Sequence, residues 1–230
     1  MIEISNLRFV YPRSAFHLEV RALSVIQGEA AAVTGVSGSG KTTLLNLAAG
    51  ILVPASGSVQ VAGTCLSDLP DGARRHFRIA NIGMIFQEFE LLEYLNVRDN
   101  ILLPYRVNRS LRLEKSIDEA LRELLGSLEI ASLADRYPRR LSQGERQRVA
   151  IGRALITRPK LIFADEPTGN LDPNTSRVIV DVILRQAASC GATVMMVTHD
   201  YSLLERFDRV VDVGSIARSG SDGRAGEARA

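Results

Sequence analysis

The sequence predicts an α/β fold. It has a core of buried strands and flanking helices around a phosphate-binding loop, a small antiparallel β patch, and a helical insertion. Three observations predict it. The stretch Gly35-Val36-Ser37-Gly38-Ser39-Gly40-Lys41-Thr42-Thr43 fits Gly-x-x-x-x-Gly-Lys-[Ser/Thr], preceded by the apolar run Ala30–Thr34 and followed by Leu44, Leu45, Leu47 and Ala48 at helical spacing. Further apolar runs suited to buried strands occur at 82–86, 161–164 and 192–197. From Glu88 the alternation stops, and Leu111, Leu113, Ile117, Leu121, Leu124, Leu125 and Leu128 recur at helical spacing among charged residues.

At 230 residues the chain can bury a sizeable core as one α/β domain with an insertion. A net charge of +2 gives no bulk attraction to nucleic acid. No apolar run is long enough to cross a bilayer, and the acidic, alternating start Met1-Ile2-Glu3-Ile4 is not a secretory signal. Cys65 and Cys190 form no metal-like cluster and read as core-filling thiols in a reducing compartment. A cytoplasmic protein is expected, with any membrane link through a separate partner.

Taken in order, Ile2, Ile4, Phe9 and Tyr11 follow a strand period that Pro12 stops, and Phe16, Leu18 and Val20 repeat it. Residues 57–63 read as another strand between turn residues. These make the antiparallel patch beside the βα unit. Tyr11 is either a core tyrosine or an aromatic face for an adenine ring. The loop's glycines let successive N–H groups turn toward one anion, and the helix from about Lys41 to Ala49 points its positive dipole end there. Lys41 reaches the β- and γ-phosphates of such a ligand, and the Thr42 hydroxyl joins a Mg²⁺ shell.

The strand at 82–86 ends at Gln87, whose amide can bond water or a metal shell. The insertion covers about 88–140. Within it, Leu91, Leu92, Tyr94, Leu95, Ile101, Leu102 and Leu103 serve either packing inside the insertion or docking of another chain. Ser142 and Gly144 open a helix carrying Val149, Ile151, Ala154 and Leu155, as a plain N-cap or as a second anion site. The strand at 161–164 delivers Asp165 and Glu166 to a sheet edge, where ligands of open α/β sheets bind. Asp165 is the natural ligand for Mg²⁺, and Glu166 can orient the attacking water and take its proton. Val178, Ile179, Val182 and Ile183 form a helix face, and His199 follows the strand at 192–197, able to donate to a γ-phosphate oxygen. A short strand is expected at 208–213, then a loosely held tail over 214–230. One loop without a repeat implies a single nucleotide module.

Together these residues resemble the ATP-binding subunits of ABC transporters. The 35–43 loop is similar to the Walker A motif, Gln87 to the Q-loop, and Leu141-Ser142-Gln143-Gly144-Glu145 to the family signature. Leu161–Asp165 followed by Glu166 is similar to Walker B with the catalytic glutamate. Asn170-Leu171-Asp172 resembles the D-loop, His199 the switch histidine, and Tyr11 stands where the family has its adenine-stacking aromatic. The resemblance covers nearly all of 1–213 and implies a P-loop NTPase (RecA-like) core over 1–87 and 154–213, a helical subdomain over about 88–153, and a flexible tail over 214–230.

The resemblance also implies roles. ATP is held by Tyr11, Gly35, Val36, Ser37, Gly38, Ser39, Gly40, Lys41, Thr42 and Thr43, and across a partner by Ser142 and Gly144. Mg²⁺ is held by Thr42, Gln87 and Asp165, and catalysis falls to Glu166, His199 and Gln87. Two copies pair head to tail when ATP is bound, and a transmembrane permease holds them on the inner face of the cell membrane. Residues 164–172, 86–92 and 99–104 are similar to the lipoprotein-release and macrolide-exporter branch, which also holds cell-division ATPases. Two features depart from the pattern. Gln143 stands where the signature has Gly, and the C-terminal segment lacks the usual Asp-Gly-Arg turn and following strand. The rival expectations are a cell-division scaffold that uses ATP to dimerise and a soluble ABC-type ATPase without a permease.

Overall fold

The computed structural model describes residues 1–12, 16–108, 111 and 116–221. Strands β1 (Ile2–Val10) and β2 (Phe16–Val25) form a long antiparallel hairpin, with Ile4 opposite Leu23 and Leu7 opposite Val20. Strand β3 (Ala30–Thr34), the loop and helix α1 (Lys41–Ala48) form the strand–loop–helix unit. Then come β4 (Ser56–Val61), β5 (Thr64–Cys65), α2 (Asp71–Asn81) and β6 (Ile82–Ile85). The insertion supplies α3 (Val97–Ile101), α4 (Leu103–Val107), α5 (Ser116–Ser127) and α6 (Gln143–Leu155). The chain closes with β7 (Leu161–Asp165), α7 (Pro173–Cys190), β8 (Thr193–Val197), β9 (Arg209–Asp212), α8 (Val213–Ile216) and β10 (Ala217–Ser221).

The strands build two sheets. The antiparallel one runs β10-β2-β1-β4-β5, and the parallel one β6-β7-β8-β3-β9. A parallel sheet needs both faces covered, and the period of two assigns them. Ala31, Val33, Leu161, Phe163, Met195 and Val197 pack with Leu44, Leu45 and Leu47 of α1 and with Ile2, Ile4, Leu18 and Val20 of the antiparallel sheet. Ala32, Ile162, Ala164, Val194 and Met196 face the other way, onto Val149 and Ile151 of α6 and Ile179 and Ile183 of α7. The central strands β3, β7 and β8 are therefore mostly apolar, and the 35–43 loop follows a strand packed on both faces.

In the insertion, Leu121 and Leu125 of α5, with Leu128 beyond it, recur one helical turn apart and are buried against Val97 and Ile101 of α3. Helix α6 runs unbroken across 153–154, with side chains in the same core as β7. The insertion and the sheet thus share one apolar cluster.

Three expectations are corrected. Residues 214–221 are not loose: α8 follows β9, and β10 pairs antiparallel with β2, Ala217 opposite Val20 and Ser221 opposite Phe16. The pairing uses backbone groups on the open edge of β2, so it needs no apolar signature. Val178 is exposed on α7, where Val180 takes the buried place instead. Cys190 is exposed at the end of α7 and Cys65 is half-buried, so neither is a fully buried core thiol. Leu113 and tail residues 222–230 lie outside the described residues.

Candidate active site

The loop takes its shape from its glycines. Gly40, the residue before α1, has φ +95°, and a Cβ there would sit 3.0 Å from Leu18 Cδ1 and 3.1 Å from Phe16 Cζ. Any other residue would face an unfavourable backbone and the β2 side chains together. No side chain caps α1, so its first N–H groups face the loop. Lys41 is buried, and its Nζ donates to the carbonyls of Gly35 and Val36 at 3.0 Å each. These two bonds compensate burial of the ammonium and hold it inside the loop.

Thr42 Oγ1 donates to Asp165 Oδ1 at 3.2 Å, joining the start of α1 to the end of β7. Burial pushes the Asp165 carboxyl above its ordinary value; the Thr42 hydrogen bond opposes this, Glu166 adds to it, and Lys41 and His199 oppose it. A divalent cation would supply the missing positive charge. A hydroxyl beside a carboxylate is a hard-oxygen pair that fits Mg²⁺. Among the described residues no group of three or more His, Cys, Asp or Glu could hold a metal. Phosphate oxygens and water must complete the shell, as is usual for Mg²⁺.

Glu166 follows directly, with φ +46°, a left-handed conformation for a residue with a side chain. Such a backbone costs about 1–3 kcal/mol, and a following proline ordinarily favours extended φ. The fold holds it with a bond from its N–H to the Val197 carbonyl, 3.1 Å, and one from Gly169 N–H to its own carbonyl, 3.0 Å. The turn brings its carboxylate to His199, with Nε2 2.7 Å from Oε1. Tyr11 closes the far end of the site. Its hydroxyl is 3.2 Å from Thr43 Oγ1, and its ring lies 4.7 Å from Phe9, edge-on, and 6.0 Å from Phe16.

Tyr11, Phe16, Ser37, Gly38, Gly40, Lys41, Thr42, Thr43, Glu166 and His199 line one cleft of about 360 Å³. An aromatic pair, a glycine-rich loop with Lys41, and a carboxylate with a histidine share its lining. That set suits a nucleoside base, its phosphates and an attacking water. Phe16 is the residue that sequence reading missed. Strand alternation puts it in β2, as found, and does not mark it as lining a site; the signal is its place across the hairpin, where Tyr11 N–H bonds its carbonyl at 3.4 Å.

Gln87, Ser142 and Gly144 do not line this cleft, and neither do Gly35, Val36, Ser39 and Asp165. Gln87 is exposed. Its carbonyl accepts from Asn170 Nδ2 at 3.3 Å, and its amide lies against Gly169. Ser142 caps α6 in a capping box: its Oγ accepts from Glu145 N–H at 3.3 Å, and its own N–H donates to Glu145 Oε2 at 2.7 Å.

Comparison with known proteins gives consistent results. The model of the ABC transporter family matches residues 18–169. The chain is 40% identical to the lipoprotein-releasing system ATP-binding protein LolD 1 of Rhodopirellula baltica, covering 97% of this chain and 99% of that one. It is 38% identical to the methionine import ATP-binding protein MetN 1 of Burkholderia lata, over 96% of this chain and 65% of that one. Its fold superposes with a TM-score of 0.82 on the dimeric, post-hydrolysis ATP-binding cassette MJ0796 bound to ADP and Pi, at 30% identity over 96% of this chain and 98% of that one.

Proposed function

Since the chain belongs to the ABC transporter family of ATP-binding subunits, we propose that its ATP cycle drives a separate membrane permease of the lipoprotein-releasing kind. The observation that carries this reading is the cleft lined together by Lys41, Thr42 and the Glu166–His199 pair, with Asp165 hydrogen-bonded to Thr42. In it the loop and Lys41 neutralise phosphate charge, Thr42 and Asp165 hold Mg²⁺, and Glu166 takes a proton from the attacking water. A Mg²⁺ ion held by Thr42 and Asp165 would supply positive charge to offset what develops on the phosphate in transfer.

The cleft lacks the Ser142 end of α6, so a second copy supplies it, head to tail. Complementation tests this. Lys41→Ala and Ser142→Arg should each be inactive alone. A mixture forms dimers in which one site has both ends native, and about a quarter of native ATPase should return when equal amounts pair at random. No recovery would mean that each chain works alone.

The permease docks on a second groove of about 420 Å³ between the core and the insertion. Met84, Phe86, Leu103, Pro104 and Val107 give it an apolar floor, and Arg78, Glu90 and Arg153 a charged rim. Ile101 and Leu102 are buried, whereas Leu103 and Pro104 line the groove and Tyr94 is exposed, so the 89–104 stretch serves packing and docking at once. The proposed occupant is one short amphipathic helix of the permease, which matches the groove's size and mixed lining. No helix among the described residues is long and apolar enough to cross a membrane, so anchorage at the inner face would come from that partner. Relatives named for lipoprotein release and for methionine import are both similar to this chain, which supports a reading in which the permease chooses the substrate. Co-purification of a membrane protein with the native chain, lost in Val107→Asp, is the expected result.

A further inference from the structure

Segment 87–92 joins β6 to the insertion without regular structure, so its backbone groups need partners from elsewhere. Three residues supply them, each from a different part of the molecule. Asn170, in the loop after β7, donates to the Gln87 carbonyl at 3.3 Å. Arg153, in the last turn of α6, donates from Nη2 to the Phe89 carbonyl at 2.8 Å and from Nη1 to the Glu90 carbonyl. Asn100, fully buried in α3, accepts from Leu92 N–H at 2.8 Å and donates to the Leu92, Leu95 and Asn96 carbonyls.

The Arg153 clamp differs from the other two in where its other end leads. Ser142 and Arg153 bracket α6 and stand about 16 Å apart along one continuous helix. At the Arg153 end the helix comes close to β6. A Cβ at Gly83 of β6 would lie 2.4 Å from the Ala154 carbonyl, so α6 rests directly on the strand that feeds the segment. The clamped residue Glu90 has φ +51°, a strained backbone that two fixed carbonyls help to maintain. Arg153 and Glu90 both line the permease groove, and neither lines the ATP cleft.

We propose that Arg153 is a positioning residue: it carries movement of the Ser142 end of α6 to segment 87–92, so that nucleotide state sets the shape of the permease groove. The inference rests on the reading above, in which that end of α6 meets ATP. A guanidinium suits the task because its planar fork takes two adjacent carbonyls in one fixed geometry. A helix does not stretch appreciably, so displacement at one end appears at the other.

The test uses amide hydrogen exchange with Mg-ATP as the only probe, in Glu166→Gln protein so that ATP is retained. Mg-ATP should change exchange across 88–92 by roughly tenfold. Adding Arg153→Gln, which keeps reach but loses the fork, should reduce that change to less than about twofold while ATP affinity and melting temperature hold. Should Arg153→Gln fold poorly, Arg153→Lys is used, with a response reduced at least about threefold at unchanged ATP affinity. An ATP response in these variants equal to that of the parent overturns the proposal, as does a loss that merely follows weakened ATP binding. A parent protein without any response at 88–92 also overturns it and leaves the ATPase reading standing. That reading falls instead if the native chain does not hydrolyse ATP.

Discussion

Replacing Glu166 with Gln separates two roles for this side chain by magnitude. Gln has the same length and shape, and its Oε1 can accept the hydrogen bond from His199 Nε2, now 2.7 Å from the carboxylate. The left-handed backbone at φ +46° is unchanged, so folding and ATP binding should be nearly unaltered. If Glu166 only positioned His199, the loss would be that of one partly exposed hydrogen bond, about 1 kcal/mol, or roughly fivefold in rate. If it takes the proton from water, the loss is that of a general base, about 10²–10⁴-fold, or about 3–5 kcal/mol. We expect the second. Phosphate release at saturating Mg-ATP should fall at least a hundredfold, while binding of a fluorescent ATP analogue changes less than about threefold. A kcat within tenfold of native would refute the assignment of Glu166 as the base.

Three further outcomes are expected. Thr42→Ala removes the hydroxyl that bonds Asp165 and that is proposed to hold the metal, so the Mg²⁺ concentration for half-maximal ATPase should rise about tenfold in a titration at fixed ATP. Phe163→Ala empties a fully buried site in β7 and should lower stability by about 3–5 kcal/mol in urea unfolding, with the m-value unchanged. Asp172 caps α7, accepting from Asn174 and Thr175 N–H at 3.1 Å, and bonds to Thr175, its side chain first, hold its carboxyl below the ordinary 3.8. Its charge therefore stabilises the fold above that pH and ceases to do so as pH falls through the lowered value. Asp172→Asn keeps a good cap and should flatten the acid limb of a plot of melting temperature against pH.

The phosphate loop was fully legible in the chain because its chemistry is local. Gly40, Lys41 and Thr42 act through backbone conformation and immediate neighbours, and α1 begins at Lys41 as expected. Apolar runs gave β3, β6, β7 and β8, since strands buried on both faces have no polar side to disguise them. The short helix α2 carries no fully buried residue and left no apolar run to read. Strand β10 gave no signal, because an edge of β2 recruits it through the backbone. Phe16 read as a strand residue, since its place beside Tyr11 follows from the hairpin's register.

What the sequence alone determined is which candidate groups are present and the strand end that carries each of them. Which groups actually meet was decided by tertiary structure. The turn at Glu166 swings its carboxylate to His199, Asp165 takes the Thr42 bond, and Ser142 is left outside the cleft at one end of α6. The physical reason is range. Propensity and periodicity act within a few residues, whereas Thr42 and Asp165 are 123 positions apart and Arg153 and Glu90 63 apart. Such pairs form only when two cores have packed against the same parallel sheet and fixed its edges in space.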